Sequence, residues 1–90
     1  MEFEWDPRKA AANLVKHKVS FEEAATVFGD PLGRIVADPR HSTAEERLVR
    51  ISRERRLLAV MYVERAEAVR IISARPATRA ERKDYEEITR

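Results

Sequence analysis

An α+β sandwich, with two helices on one face of an antiparallel sheet, is the fold these ninety residues predict, and three observations predict it. The first is a change of period: apolar residues recur at helical spacing as far as Phe28 and alternate with polar ones from Arg47 onward. The second is punctuation, since Ser20 with Glu23 and Thr78 with Glu81 each form a capping box that announces a helix start. The third is size. Ninety residues make one domain, residues 1–90, because two cores would each bury too little apolar surface to offset chain entropy.

Taken in order, Phe3-Glu4-Trp5 alternates apolar and polar and reads as a first strand. Asp6 is a good N-cap, and Pro7 falls at the first helical position, where its missing N–H costs nothing. Ala10, Ala11, Leu14 and Val15 give a narrow apolar stripe on a helix that runs to about His17. Lys16, His17 and Lys18 complement the dipole at its end, and Lys18 takes the left-handed position that glycine prefers. Phe21, Ala24, Ala25 and Phe28 recur at i, i+3, i+4 and i+7 in a second helix, which Gly29 closes and Pro31 prevents from continuing. Arg34-Ile35-Val36-Ala37 reads as a short strand and residues 38–42 as a turn.

Three further strands follow, over residues 47–52, 57–63 and 69–74, separated by charged turns short enough to imply an antiparallel meander. Leu57 to Val63 is apolar at nearly every position, which places that strand centrally. Alternation in the last strand puts Arg70, Ile72 and Ala74 on one face, with Ser73 and Arg75 on the other. A final helix from Arg79 to Thr89 carries a thin apolar stripe of Tyr85 and Ile88. The order β-α-α-β-β-β-β-α has no repeat or linker, and leaves one sheet face partly open.

Composition narrows the functional classes. With 43% hydrophobic and 38% charged residues, no run approaches the roughly 20 apolar residues of a membrane span. There is no cysteine, which excludes disulfides and thiolate chemistry, and no signal peptide, so the expected address is the cytoplasm. The net charge of +2 hides an asymmetry. Residues 1–46 are acidic on balance, whereas residues 47–90 hold twelve Lys/Arg against seven Asp/Glu. Arg70, Arg75, Arg79 and Arg82 straddle a junction from strand to helix, where forked guanidiniums and exposed N–H groups suit a phosphodiester. A salt-bridged surface strand is the competing reading.

Phe3-Glu4-Trp5-Asp6-Pro7, Asn13, Lys16-His17, Val19-Ser20-Phe21-Glu22-Glu23-Ala24, Asp30-Pro31, His41-Ser42, Glu46-Arg47 and Arg70-Ile71-Ile72-Ser73-Ala74-Arg75, with Ala77-Thr78, Glu81-Arg82 and Tyr85, together resemble the BrnT family of type II toxins. The resemblance covers nearly the whole chain in order. Lys18 departs from it by standing where the family usually has glycine, and the turn Arg53-Glu54-Arg55-Arg56 lacks the glycines typical there. What the resemblance implies is a RelE-like ribonuclease fold and RNA cleavage that slows translation. It also implies a BrnA-type antitoxin with a ribbon-helix-helix fold, which neutralises the toxin, represses the shared operon and assembles as two toxins on one antitoxin dimer. Operator DNA would then be reached only through the antitoxin.

Metal-free RNA cleavage requires a deprotonated 2′-OH, a stabilised phosphorane and a protonated 5′-oxygen. Arg70 and Arg75 are the candidate phosphate clamps, with Arg47, Arg50, Arg79 and Arg82 as further phosphate contacts. His17, His41, Glu46 and Tyr85 are the options for base or acid, and the sequence does not rank them. Each has a plainer role: His17 as a helix C-terminal residue, His41 in a loop, Tyr85 as an anchor of the last helix, Glu46-Arg47 as an ion pair. No His/Asp/Glu group has metal-ligand spacing, and no cofactor motif such as a glycine-rich phosphate loop occurs. The alternative function is a non-catalytic module, or an inactive toxin, that binds an antitoxin-like protein. A DNA-binding protein fits poorly, because no recognition helix or helix-turn-helix glycine turn is present.

Overall fold

The computed structural model describes residues 2–29, 45–65 and 68–88. The chain forms β1 (Glu2–Glu4), α1 (Pro7–His17), α2 (Phe21–Ala25) running into a 3-10 turn (Thr26–Gly29), β2 (Glu45–Ile51), β3 (Leu57–Arg65), β4 (Ala68–Pro76) and α3 (Arg79–Ile88). The strand expected at residues 34–37 and the turn at 38–42, which carries His41, lie outside the described residues.

The N-caps form where the sequence expects them, but at Ser20 only half of the capping box is made, because the Glu23 carboxylate is taken by Arg56 and Ser52. Asp6 accepts the Arg8 N–H at 2.8 Å and Ser20 accepts the Glu23 N–H at 3.0 Å. Lys18 ends α1 in the left-handed region, φ 59° and ψ 32°, and donates its N–H to the Leu14 carbonyl. Thr78 and Glu81 make both bonds of a capping box, at 2.9 and 3.1 Å.

The sheet order is β1-β4-β3-β2. β2, β3 and β4 form the expected antiparallel meander, but β1 joins β4 in parallel, so the sheet is mixed rather than wholly antiparallel. Strand alternation also breaks once. Tyr62 pairs with Ile71 and Met61 with Ser73, which leaves Ile72 as the extra residue of a β-bulge. The bulge shifts the phase, so Arg70, Ser73 and Arg75 share one face while Ile71 and Ala74 enter the core.

That core lies between the sheet and the first two helices. Val19, Phe21, Ala24 and Val27 meet Leu48, Leu58, Val60, Tyr62, Val69 and Ile71. Phe28 stands edge-on to Tyr62 at 5.0 Å between centroids, and Trp5 edge-on to Phe21 at 5.9 Å. α1 joins this layer in an unexpected way. Of its apolar stripe only Ala10 packs against the core; Ala11, Leu14 and Val15 face outward, with Leu14 49% and Val15 73% exposed. Buried Asn13 anchors it instead, donating to the Val19 and Ala74 carbonyls at 2.9 and 2.8 Å and accepting the Ala74 N–H at 3.1 Å.

A second polar clamp ties α2 to the β2–β3 turn. Glu23 takes Arg56 in a forked pair, with Arg56 Nε at 2.9 Å, and accepts the Ser52 hydroxyl at 2.7 Å. The Arg56 hydrogen bond above all holds the Glu23 carboxyl below its ordinary pKa. Arg55 takes a left-handed φ of 64° in that turn, the conformation a glycine would otherwise supply.

Candidate functional site

Register places three rows of side chains on the sheet face away from α1 and α2. Arg47 is opposite Met61, which is opposite Ser73; Val49, Ala59 and Arg75 form the next row; Glu45, Val63 and Arg70 form a third. α3 packs over part of this face against β2, so the face is less open than the sequence implies. Three arginines from two strands thus point the same way.

Glu81, in the first turn of α3, holds two of them. It is only 8% exposed. Its carboxylate accepts Arg75 Nη1 at 2.7 Å and Nη2 at 3.0 Å, a fork-to-fork pair, and it lies 3.0 Å from Arg47 Nη1. Burial pushes the Glu81 pKa up, but the Arg75 hydrogen bonds, the Thr78 N–H and the charges of Arg75 and Arg47 outweigh it and hold the carboxyl at about 2. Glu81 raises the Arg75 pKa in return. The group is a fixed anion between two fixed cations at neutral pH.

Arg70 is held more loosely. Its partner is Glu4 across the parallel pair, 3.5 Å away, with the two side chains 37% and 42% exposed. Such a pair contributes at most about 1 kcal/mol, so Arg70 can turn to another anion. Beside Arg47, a cleft of about 80 Å³ opens between β2 and α3, lined by Val49, Glu81, Asp84, Tyr85 and Ile88.

The other residues singled out from sequence lie elsewhere. Arg50 borders the cleft but is 3% exposed, in register with Leu58 of the core. Glu46 pairs with Tyr62 on the helix side, where the Tyr62 hydroxyl and one Glu46 oxygen are buried with no hydrogen-bond partner among the described residues. Burial first, and then the Glu46 carboxylate, push the Tyr62 phenol far above its ordinary pKa. His17 ends α1, also on the helix side of the sheet. Arg79 and Arg82 are exposed on α3. Arg47, Arg75 and Tyr85 therefore gather around Glu81, with Arg50 at the border of their cleft and Arg70 further along the outer face, while Glu46 and His17 are separated from them.

Glu81 is the residue that sequence reasoning undervalued. Its capping role was legible, but its grip on Arg75 and Arg47 depends on α3 folding back over the sheet. Among the described residues, no three metal-ligating side chains cluster, and no helix is long and apolar enough to cross a membrane.

Two comparisons with known proteins point to one family. The fold matches the crystal structure of the Brucella abortus ribonuclease toxin BrnT with a TM-score of 0.70 at 20% identity, covering 88% of this chain and 99% of that one. A comparison with curated proteins finds no match in sequence. A family model described as the ribonuclease toxin BrnT of type II toxin-antitoxin systems matches residues 5–81, from the tryptophan that packs on Phe21 to the carboxylate that holds the arginine pair. By that match the chain belongs to the BrnT family of type II toxin-antitoxin ribonuclease toxins.

Proposed function

We propose that the chain cleaves RNA on its outer sheet face, using arginine charge and a tyrosine rather than a metal. The observation that carries this reading is the Glu81 carboxylate gripping Arg75 and Arg47 side by side on a face they share with Arg70. A guanidinium has five N–H donors. Among the described residues, Glu81 and the Pro76 carbonyl engage Arg75 through three of these, two on Nη1 and one on Nη2, which leaves Nε–H and the second Nη2–H for phosphate oxygens. Held in this way, the cations meet the phosphorane charge with little reorganisation.

Glu81 itself is a poor proton carrier, since a carboxyl held at about 2 stays ionised. Tyr85 lines the same cleft as Arg47 and is the proton-transfer group in this proposal. Glu46 and His17, across the sheet, support the fold. Cleavage of RNA in the cytoplasm slows translation. A BrnA-type ribbon-helix-helix antitoxin neutralises the toxin as two toxins on one antitoxin dimer, and the toxin reaches operator DNA only through it. The support for this assembly is the family, since a type II toxin implies a protein antitoxin.

The test is RNA cleavage and growth arrest with Arg70→Ala and Arg75→Ala, each checked for folding by circular dichroism. Arg70→Ala removes only a weak surface pair, so its loss of cleavage reads function without a stability artefact. Wild type should arrest growth, the antitoxin should relieve it, and both variants should fail to arrest. Normal cleavage by a folded Arg70→Ala and a folded Arg75→Ala would remove the arginine face from the reaction.

A further inference from the structure

Among the described residues, no element covers the outward part of the α1 stripe. Pro7, Ala11, Leu14 and Lys18 recur at steps of four, three and four, with Val15 alongside, and all five are exposed. That spacing is the seam of a helix pair. The helix does not use this seam to hold the body of the protein, because Asn13 on its opposite side makes that attachment with three hydrogen bonds. The seam is also uniformly basic at its borders. Arg8, Lys9, Lys16 and Lys18 lie in residues 7–18, a segment with no Asp or Glu.

We propose that this strip is the seat of an acidic amphipathic helix belonging to the antitoxin; the proposal rests on the toxin-antitoxin family and not on the cleavage chemistry. Leu14, Val15 and Ala11 receive the apolar side of that helix, and the lysines and Arg8 pair with its carboxylates. A second copy of the chain fits poorly, since a symmetric pairing would set the same basic residues against each other. The strip lies on the opposite side of the sheet from Arg47 and Arg75, so an antitoxin anchored here leaves the arginine face to a different segment.

The experiment is calorimetric titration of the cognate antitoxin into wild type, into Leu14→Glu/Val15→Glu and into Lys9→Glu/Lys16→Glu. All four positions are exposed, so the melting curves should stay near wild type. The apolar variant should bind at least tenfold more weakly, a loss of about 1.4 kcal/mol or more. The charge variant should bind more weakly at low salt and lose most of its salt dependence. Both should still cleave RNA, so a chain with no ribonuclease activity would undo the cleavage proposal and leave this one standing. Wild-type affinity in both variants would overturn it. So would a wild-type homodimer that Leu14→Glu/Val15→Glu dissolves, or binding of wild type to anionic vesicles that this variant loses while antitoxin affinity is kept.

Discussion

Glu81 shows how much one side chain can decide. A glutamine there keeps the shape but removes the charge, and presents an amide N–H₂ to a guanidinium that already donates. Hydrogen bonds to charged groups contribute roughly 1.5–3 kcal/mol each, not additively, so Glu81→Gln should destabilise the domain by about 2 kcal/mol in urea unfolding. The arginines also lose their aim, and misplacing a catalytic group by about 1 Å can cost on the order of 100-fold, so cleavage should fall by roughly 10- to 100-fold. The acid sensitivity has a definite sign. The folded carboxyl sits at about 2 against 4.5 for an ordinary glutamate, so its contribution is complete above pH 4.5 and is lost as the pH falls toward 2. Glu23 is depressed too and steepens the same limb, but subtracting the Glu81→Gln curve isolates Glu81. The stability gap between wild type and variant should therefore close across that window. A gap that stays constant would mean that the two arginines do not stabilise the anion.

Two elements, α1 and β4, departed from the sequence reading where one polar residue or one inserted residue overrode a periodic pattern. The apolar stripe of α1 was legible, but which side of the helix faces the core was decided by Asn13, whose three hydrogen bonds reach the backbone of Val19 and Ala74. Such partners are distant in sequence and leave no periodic trace. Alternation in β4 failed at Ile72, because a bulge adds a residue without changing composition. The Thr78–Glu81 capping box, by contrast, is local and was fully legible, as were the Ser20 N-cap and the left-handed Lys18, although the Glu23 carboxylate goes to Arg56 and Ser52 instead of closing a second box. That position and Arg55 store conformational strain: both take positive φ without being glycine. Lys18→Gly and Arg55→Gly should each raise stability by about 0.5–1 kcal/mol, near a few degrees in Tm for a domain of this size. Asn13→Ala should do the reverse, at a cost of about 2–4 kcal/mol, since it leaves buried backbone groups of Val19 and Ala74 without partners. Thermal melts of the three variants separate these signs.

At the scale of the molecule, the sheet divides two kinds of work. Its helix side is packed with apolar and aromatic residues and encloses Arg50, whereas its outer side carries Arg47, Arg70 and Arg75 in ordered rows. A net charge of only +2 gives no strong global field, so attraction for RNA depends on this local grouping. Neutralising phosphates of a single strand releases counterions with a slope of about −0.7 per contact in log K against log salt, so three arginines should give a slope of about −2. Fluorescence anisotropy with a short single-stranded RNA across a salt series measures it. Arg70→Ala should flatten the slope by about 0.7, whereas the exposed Arg53, in the turn beside Thr26, should leave it unchanged when replaced by alanine. A wild-type slope steeper by about 1.4 would add Arg79 and Arg82 to the track along α3. A slope insensitive to Arg70 would mean that RNA does not follow the outer face, because Arg70 is the cation there whose present partner is weakest and whose transfer to a phosphate costs least.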